Sequence, residues 1–483
     1  MNDEPRPESE LLAERRAKGA RLHEDGVRVP YRFTGVVPIE QVRAQFATLG
    51  AGKETEEIRR VAGRLAARRG QGRMAFLDLV DRSGRLQLQA RVDELGEERL
   101  AQLLSLDLGD VIGVDGIVFR SRRGELSLRV SDYELLAKSL RPPPDKFHGL
   151  TDTETRYRQR ELDLIANEDT RRLFIDRARI IAAVRGYLDG EGFVELETPV
   201  LQPLYGGAMA RPFTTHHNAL DRDLYLRIAT ELYLKRAIVG GLERVYELGK
   251  NFRNEGLSPK HNPEFTVVEW YEAYADYQDE AARLEAIVAA AADAVGYEGE
   301  LRLRAPFARM TFHEAIRKHA DIELVPSVEE LGRRIKARYP EMPTEGFTWF
   351  QLADDLLSKL VEPKLQQPTF IFDYPVELSP LAREHRSHAG LVERWECFVG
   401  GYEIANAFSE LADPDEQRRR FEAQRRLAVA GEEEAQPYDE SFVRALEQGM
   451  PPTGGVGVGI DRLVMVLTGR RSIREVLLFP AMR

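Results

Sequence analysis

The sequence predicts an α+β fold, in which a small N-terminal β-barrel is followed by a larger domain that combines strands with helices. Five short stretches of alternating polarity lie between residues 58 and 137, a pattern typical of a compact all-β unit. A proline-rich stretch follows at 140–165, and hairpin patterns and amphipathic helical patterns alternate beyond it. The 483 residues, of which 43% are hydrophobic, suffice for two or three globular domains. We therefore expect a helical extension at 1–50, a barrel at 51–140, a linker at 141–168 and the larger domain at 169–483.

Composition and charge exclude several classes of protein. The net charge is −11 at pH 7, so nucleic acid should bind only through a local basic patch. Residues 58–74 predict such a patch, because they hold six arginines and no acid. No apolar run reaches 18 residues and the first residues are acidic, so we expect neither a membrane span nor a secretory signal. Cys397 is the only cysteine, which excludes intramolecular disulfides and cysteine-based zinc sites and favours a reducing cytoplasm.

The N-terminal 50 residues predict a charged helix that breaks at its glycines, with a looser stretch around 26–38. A solvated helix face is the preferred interpretation, and a basic helix that contacts RNA stays open. Further along, three prolines at 142–144 indicate a stiff linker. Beyond the linker, 169–188 has the spacing of an amphipathic helix, and the chain then turns extended into Pro199.

The five alternating stretches predict a small Greek-key barrel of the oligonucleotide-binding type, with a tight turn at 81–84. Alternation assigns four leucines to the interior of this barrel: Leu77, Leu79, Leu86 and Leu88. Phe76 and Gln87 then lie on outer faces beside the arginine-rich strand. An aromatic ring and amides near arginines suit unstacked RNA bases. A surface hairpin with a partly buried Phe76 fits the same pattern equally well.

The stretch 243–277 predicts a strand, a loop and a second strand. Phe265, Glu269 and Tyr271 share one face of the second strand, and Arg253 enters from the first. Arg253 can bind a phosphate or a carboxylate through two hydrogen bonds. Phe265 can stack on a base, and Glu269 can accept from an ammonium group. The pattern therefore suits a nucleotide and an amine, although an amphipathic hairpin with salt bridges would show the same alternation.

A second hairpin is predicted at 393–410, with a two-residue turn at 400–401. This turn pairs Phe398 with Glu403 and Glu396 with Ala405. Glu396 and Glu403 then become diagonal neighbours on one face of the hairpin.

Two neighbouring carboxylates repel each other unless a cation lies between them. Magnesium is the natural candidate for Glu396 and Glu403, because it prefers oxygen ligands and bound phosphates. A solvated acidic edge is the alternative. In this register Asn406 and Glu410 fall on the opposite face, so only a bulge would bring all four residues to one site.

The C-terminal 30 residues predict a strand followed by a helix. Four glycines alternate with valines at 454–459, which favours a strand whose backbone a ligand can approach. A dinucleotide-binding loop is rejected, because no βαβ unit surrounds these glycines. Residues 460–468 then predict a helix with Arg462 in its first turn, a position that favours phosphate.

Two further helices are predicted between these motifs. Residues 230–236 indicate a helix that begins at Glu231 with Thr230 as its cap, which would leave this carboxylate exposed to a ligand. Residues 280–295 indicate a helix that packs on the sheet, and 300–370 hold several helices without evident chemistry.

Three of these segments resemble the signature motifs of class II aminoacyl-tRNA synthetases, in the bacterial-type lysine-specific form. The sequences NFRNEG, HNPEF and EWYEAYADY within 243–277 resemble the second motif, GIDR with FPAMR resembles the third, and the helix and strand before Pro199 resemble the first. The likeness covers nearly the whole chain and fades between 300 and 365. It implies an antiparallel catalytic sheet flanked by helices, an anticodon-binding barrel of the OB type and a homodimer. Such enzymes join lysine to ATP, release pyrophosphate and pass the lysyl group to the 3′ end of tRNA.

The resemblance also implies a role for particular residues. The residues that would bind ATP are Arg253, Glu255, His261, Asn262, Phe265 and Arg462, of which the two arginines would be catalytic. Those that would line the lysine pocket are Gly207, Glu231, Glu269, Tyr271, Asn406 and Glu410. Glu396 and Glu403 would hold Mg²⁺, and Phe76 and Gln87 would contact the anticodon.

This sequence departs from the family pattern at three positions. Ala405 and Ala407 stand where glycine is usual, and Trp270 stands where leucine is usual. We expect the added methyl groups beside Asn406 to narrow the pocket, which affects substrate fit more than reaction type.

Three alternative functions stay open at the level of sequence. An aspartate or asparagine enzyme of the same subclass would need a cation in its pocket, whereas 400–412 contains no Lys or Arg and does contain Glu410. A ligase that lysylates a protein would lack the anticodon barrel, for which this chain has a candidate. A nonenzymatic RNA-binding protein on an inactive synthetase fold would not need the arginines and carboxylates.

Overall fold

The computed structural model describes residues 8–70, 72–144, 150–429 and 436–482. It divides into two compact units, Met1–Arg171 and Arg172–Arg483. Part of the predicted linker, 145–149, lies outside the described residues. Two short helices occupy later residues of that predicted linker, and the four-part division made from the sequence stays a prediction.

In its described residues, the first unit contains a closed five-stranded barrel and five helices. Its helices are α1 (Glu8–Glu24), α2 (Ile39–Gln45), α3 (Val92–Ser105), α4 (Thr153–Arg158) and α5 (Arg160–Ala166). Its strands are β1 (Glu54–Arg69), β2 (Met74–Val80), β3 (Arg85–Arg91), β4 (Val111–Arg120) and β5 (Leu126–Ala137). The barrel order is β1-β2-β3-β5-β4, in which only β3 and β5 pair in parallel. The predicted five-stranded barrel is thus confirmed.

The barrel interior is filled by the side chains that alternation assigned to it. All four predicted leucines are at most 1% exposed. The predicted turn at 81–84 also forms, because the Asp81 carboxylate accepts from the backbone N–H groups of Ser83 and Gly84 at 2.7 and 2.9 Å. Helix α3 between β3 and β4 was not predicted, although its buried leucines Leu100 and Leu103 have helical spacing.

The second unit is built on an eight-stranded sheet. Its helices are α6 (Glu168–Gly190), α7 (Glu231–Val239), α8 (Tyr277–Ala294), α9 (Phe312–Ala320), α10 (Val328–Arg338), α11 (Trp349–Leu356), α12 (Pro414–Val429), α13 (Glu440–Leu446), α14 (Ile460–Thr468) and α15 (Ile473–Val476). A π-helical turn at Leu357–Val361 and 3₁₀ turns at Glu362–Lys364 and Val376–Leu378 complete the helical elements. Its strands are β6 (Val194–Glu195), β7 (Leu201–Gln202), β8 (Thr214–His217), β9 (Arg222–Leu226), β10 (Arg244–Phe252), β11 (Glu264–Ala273), β12 (Ala308–Thr311), β13 (Thr369–Pro375), β14 (Leu391–Val399), β15 (Tyr402–Ser409) and β16 (Thr453–Gly459).

The sheet order is β12-β13-β14-β15-β16-β11-β10-β6, and β7, β9 and β8 form a separate small sheet. Pairing in the large sheet is antiparallel except at β12–β13 and β10–β6. Apolar residues of α6, α8 and α14 form one core with the covered face of the sheet, around the buried Trp270 and Trp395. The opposite face of its central strands therefore stays open for a ligand. Within the described residues, no helix is both long and apolar enough to cross a membrane.

Candidate active site

A cavity of about 410 Å³ opens on the free face of the central strands in the second unit. Its walls come from β10, β11, β14, β15 and β16, with further residues from the starts of α7 and α14. All fourteen site residues predicted for this unit line the cavity: Gly207, Glu231, Arg253, Glu255, His261, Asn262, Phe265, Glu269, Tyr271, Glu396, Glu403, Asn406, Glu410 and Arg462. Their individual roles stay predictions.

The predicted hairpin of β10 and β11 forms, and its register places Asn251 opposite Phe265 and Glu247 opposite Glu269. The guanidinium carbon of Arg253 lies 5.1 Å from the centroid of the Phe265 ring. Burial lowers the pKa of Arg253 below its ordinary value, so an anion bound here would offset the cost of its charge. Glu269 accepts hydrogen bonds at 3.2 Å from the Asn251 amide and from the backbone N–H of Thr230. These two bonds fix the carboxylate on the floor of the cavity.

The hairpin of β14 and β15 contains a bulge that changes the predicted register. The pairing of Phe398 with Glu403 is confirmed, whereas the pairing of Glu396 with Ala405 is wrong. One extra residue, Ile404, lies between the two paired segments, so Glu396 pairs with Asn406 instead. The bulge reverses the alternation of side chains along β15. Glu403 and Asn406 therefore share one face, and Glu410 follows on the same side at the end of the strand.

The bulge also decides where the two unusual alanines point. Ala405 and Ala407 are at most 2% exposed and pack in the core with Trp395 and Cys397. Both alanines belong to the core on the covered side of the sheet, although Ala405 also lines the cavity, so the expected narrowing of the pocket beside Asn406 stays a prediction.

The two predicted magnesium ligands each contact an arginine. Glu396 accepts from Arg394 at 2.5 Å and from the Tyr374 hydroxyl at 2.7 Å, and burial raises its pKa to about 7. Glu403 accepts from Arg462 at 3.0 Å. No cluster of three or more His, Cys, Asp or Glu side chains suited to a metal occurs in the described part of the chain. Two carboxylates nevertheless fit magnesium, which commonly uses one or two of them together with substrate phosphates.

Three predicted nucleotide contacts lie near Arg462. Nδ1 of His261 and the Ser258 hydroxyl form a hydrogen bond of 2.8 Å, and Nε2 of His261 lies 3.4 Å from the Arg462 guanidinium. Burial, with Arg462 as the next cause, lowers the pKa of His261 and favours the neutral ring. Asn262 is bound to the backbone at both ends of its amide, donating to the Glu264 carbonyl at 2.6 Å and accepting from Ala481 at 3.3 Å. Asn262 thus holds the loop in place, while the exposed Glu255 stays available to a ligand.

The start of α7 differs from the expectation of an exposed carboxylate. Glu231 is 5% exposed and accepts from Lys235 at 2.5 Å. Thr230 precedes the helix, but its side chain does not cap it. Burial raises the pKa of Glu231. Gly207 approaches this corner with φ of +86°, where a Cβ would lie 2.9 Å from Ala229, so the turn requires glycine.

The glycine-rich strand β16 forms a flat wall of the cavity, as predicted. A Cβ on Gly455 would lie 2.1 Å from Oε1 of Glu410 and 2.4 Å from the Tyr271 ring. Tyr271 is 3% exposed, and Glu410 is 2% exposed with its pKa raised by burial to about 8. Backbone without side chains therefore makes room for these two groups at the end of the cavity.

In the first unit, the predicted anticodon face lies on β2 and β3. Phe76 is half-buried and pairs with Gln89 across the two strands. Gln87 is half-buried, and its side-chain oxygen accepts from the Ser127 hydroxyl at 3.1 Å. The amide nitrogen of Gln87 makes none of the hydrogen bonds found among the described residues.

Most arginines of the basic patch predicted at 58–74 already bind acids or backbone carbonyls of the chain. Arg60 binds both oxygens of Asp115, at 2.8 and 2.6 Å. Arg64 donates to the Gly109 carbonyl at 2.6 Å, and Arg69 donates to Asp78 at 3.0 Å. The backbone carbonyl of Leu106 and the carboxylate of Glu57 engage two more of the six, Arg68 and Arg59. Five of the six arginines are thus engaged by acids or carbonyls that lie outside 58–74, and a role of the patch in binding nucleic acid stays a prediction.

Comparison with known proteins decides the family. A model of class II tRNA synthetases (D, K and N) matches residues 152–483, and a model of the OB-fold nucleic acid binding domain matches 60–136. A lysine–tRNA ligase of Moorella thermoacetica is 51% identical over 99% of this chain and 98% of the relative. Lysine–tRNA ligases of Azoarcus sp. and Synechococcus sp. are 48% and 50% identical, each over at least 97% of both chains. The chain belongs to the lysine–tRNA ligases.

Membership in the lysine–tRNA ligases confirms the resemblance drawn from the motifs. The matched range includes residues 300–365, where the resemblance faded. Among the charged residues that sequence reasoning missed are Arg394, which lines the cavity, and Lys235, which contacts the lining carboxylates Glu231 and Glu410. Both had a local signal, because Lys235 lies four residues after Glu231 on a helix and Arg394 lies two residues before Glu396 on a strand. Arg394 also donates to Asn406 at 3.0 Å, so it connects the predicted metal ligand Glu396 with the predicted lysine pocket.

Proposed function

We propose that this chain activates lysine with ATP as lysyl-adenylate, releases pyrophosphate and transfers the lysyl group to the 3′ end of tRNA. The observation that carries the proposal is the charge distribution within one cavity. Arg253 and Arg462 line the cavity together with the aromatic ring of Phe265, and the buried carboxylates of Glu231 and Glu410 line it as well. A single cavity thus offers cations for phosphates and carboxylates for an ammonium group.

The reaction requires no nucleophile from the protein. The lysine carboxylate attacks the α-phosphorus in line, and pyrophosphate leaves. Arg253 would neutralise charge on the α-phosphate and the lysine carboxylate, while Arg462 would bind the γ-phosphate. Phe265 would stack on the adenine, and Glu255, His261 and Asn262 would hold the rest of the nucleotide. Catalysis would then rest on positioning and electrostatic stabilisation.

Magnesium fits the site through Glu396 and Glu403. The ion would supply positive charge to the phosphates of ATP. In the ligand-free arrangement Arg462 contacts Glu403 at 3.0 Å, so binding of ATP would redirect this guanidinium toward phosphate and release the carboxylate.

Selection of lysine would depend on the residues around Gly207 and Gly455. Glu231, Tyr271 and Glu410 would bind the ε-ammonium group, and Glu269 would accept from the α-ammonium group. Asn406 accepts a hydrogen bond from Arg394 and would orient the substrate between the ε-ammonium site and Glu269. A carboxylate substrate such as aspartate would face these acids at close range, which disfavours the aspartate alternative.

We further propose that the chain binds tRNA, that it forms a homodimer and that it is located in the cytoplasm. Phe76 and Gln87 would contact anticodon bases, as the OB-fold match supports. Val194, Val200 and Leu201, which belong to the predicted dimer motif, are apolar and between 40% and 48% exposed. Light scattering after size exclusion tests the homodimer. Cys397 is buried and free, which suits a reducing compartment.

ATP–pyrophosphate exchange with each amino acid in turn tests the proposed function. We expect exchange with lysine and none with aspartate, asparagine or arginine. Arg462→Ala should remove roughly 3–5 kcal/mol of transition-state stabilisation, because a charge-assisted phosphate contact is lost. Arg304→Ala is the matched control, since that arginine is 72% exposed and pairs only with a surface aspartate. Exchange that needs a different amino acid, or an Arg462→Ala variant as active as the control, would refute the proposal.

A further inference from the structure

The lysine-selective end of the cavity contains an ammonium group of the chain itself. Lys235 lies on α7, one helical turn after Glu231, and its side chain is 0% exposed. Its Nζ lies 2.5 Å from Oε1 of Glu231 and also contacts Oε2 of Glu410. Nζ further lies 6.0 Å from the centroid of the Tyr271 ring. Lys235 itself does not line the cavity, so it stands behind the two carboxylates that do.

The other oxygen of each carboxylate faces glycine backbone in the cavity wall. A Cβ on Gly207 would lie 3.7 Å from Oε2 of Glu231, and one on Gly455 would lie 2.1 Å from Oε1 of Glu410. Both oxygens of Glu410 are buried and neither accepts a hydrogen bond of regular geometry from the described residues, but Oε2 forms the ion pair with Nζ of Lys235 whereas Oε1 has no such partner there. Each carboxylate therefore has an inner oxygen on Lys235 and an outer oxygen on the cavity side.

With its three buried carboxylates ionised, this end of the cavity reaches charge balance when a diamino acid is bound. Apart from Asp461, which pairs with Arg177, the buried carboxylates that line the cavity are Glu231, Glu269 and Glu410, and Lys235 supplies one positive charge. Lysine brings two ammonium groups, which raises the positive charges to three, and its own carboxylate faces Arg253. Unpaired buried carboxylates are costly, so an amino acid with an uncharged side chain would leave one of them uncompensated.

We propose that Lys235 is the positioning residue of the ε-ammonium site, and this rests on the proposed function. It holds the inner oxygens of Glu231 and Glu410 so that their outer oxygens converge on one substrate ammonium. Without it, two adjacent buried carboxylates repel, and one of them takes up a proton or turns away. Lysine would then meet a single acceptor in place of two.

The test is Lys235→Met, which keeps the length of the side chain and removes its charge. We expect the KM for lysine in pyrophosphate exchange to rise about ten- to a hundredfold, the range for losing a charged hydrogen bond. The KM for ATP should stay within about twofold, because the arginines that face ATP are untouched. Lys359→Met is the matched control, since Lys359 also pairs with an acid four residues earlier, Asp355, but is 50% exposed.

A second-site variant separates charge from packing. In Glu231→Gln/Lys235→Met the repulsion between the two carboxylates is removed together with Lys235, so the rise in the KM for lysine should be smaller than the product of the rises in Glu231→Gln and Lys235→Met alone. An unchanged KM for lysine in Lys235→Met, equal rises for lysine and ATP, or rises that simply multiply in the double variant would overturn the proposal. If Lys235→Met does not fold, folding of the double variant separates the two roles. A charge role requires the double variant to fold, because the repulsion between the two carboxylates is gone. A packing role does not require it to fold. A parent chain without lysine-dependent exchange would refute the proposed function instead.

Discussion

The wall of the lysine pocket leads to a prediction for Gly455→Ala. The new Cβ would lie 2.1 Å from Oε1 of Glu410 and 2.4 Å from the Tyr271 ring, whereas ordinary contacts begin at 3.4 Å. Both neighbours are buried and surrounded, so neither can withdraw without disturbing the core. We expect a loss of about 1–3 kcal/mol in the free energy of unfolding, the usual cost of overpacking. The KM for lysine should rise about tenfold or more, because the acceptor oxygen must move.

Gly457→Ala on the same strand is the matched control. Its Cβ would meet only Cγ of Glu269 within 4 Å, at 3.7 Å, which is an ordinary contact. Urea denaturation of the ligand-free variants measures the stability difference, and pyrophosphate exchange at varied lysine measures the KM. Equal stabilities of the two alanine variants would refute the reasoning, since the same methyl group is added to the same strand in both.

Three further predictions concern other parts of the molecule. Glu403→Gln should raise the magnesium concentration needed for half-maximal exchange; a magnesium titration identical to that of the parent would remove Glu403 from the metal site. Phe76→Ala should lower tRNA charging about ten- to a hundredfold at limiting tRNA, because a stacking contact of about 1–3 kcal/mol is lost, and leave lysine-dependent exchange near normal. Equal losses in both assays would assign Phe76 to the fold. Glu280 is fully buried, accepts from the Trp270 indole at 2.6 Å, and burial raises its pKa from 4.5 to about 8. Its contribution to stability is complete below pH 4.5 and is lost as the pH rises through 8, so the parent should lose up to about 1.4 kcal/mol per pH unit relative to Glu280→Gln across this interval. Parallel stability curves for the two proteins from pH 5 to 8 would contradict the buried neutral carboxyl.

Local sequence patterns were enough to predict an element correctly where the residues of that element alone determine its structure. The hairpin of β10 and β11 follows from alternation on both sides of a polar turn, and α14 runs over the predicted 460–468. The barrel interior followed for the same reason. These elements carry Arg253, Phe265 and Arg462, so much of the phosphate-binding end of the cavity was predictable.

What could not be predicted depends on partners that are distant in the sequence. The bulge at Ile404 arises where β15 fits between β14 and β16, and alternation within β15 alone favours the regular register. The pairing of Lys235 with Glu410 joins residues 175 positions apart. Arg60 and Arg64 appeared free because the groups that bind them, on Asp115 and Gly109, come from another strand and a loop.

The bulge has a consequence for how the length of β15 can vary. Removing Ile404 would convert the bulge into a regular ladder and leave Glu403 and Asn406 on the same face. Removing Ala407, one residue beyond Asn406, would instead turn Glu410 to the covered side of the sheet. Two single-residue deletions three positions apart should therefore differ completely in their effect on lysine binding. At Ile404, strand β15 can thus change in length without separating Glu403, a proposed metal ligand, from the proposed lysine-binding residues Asn406 and Glu410.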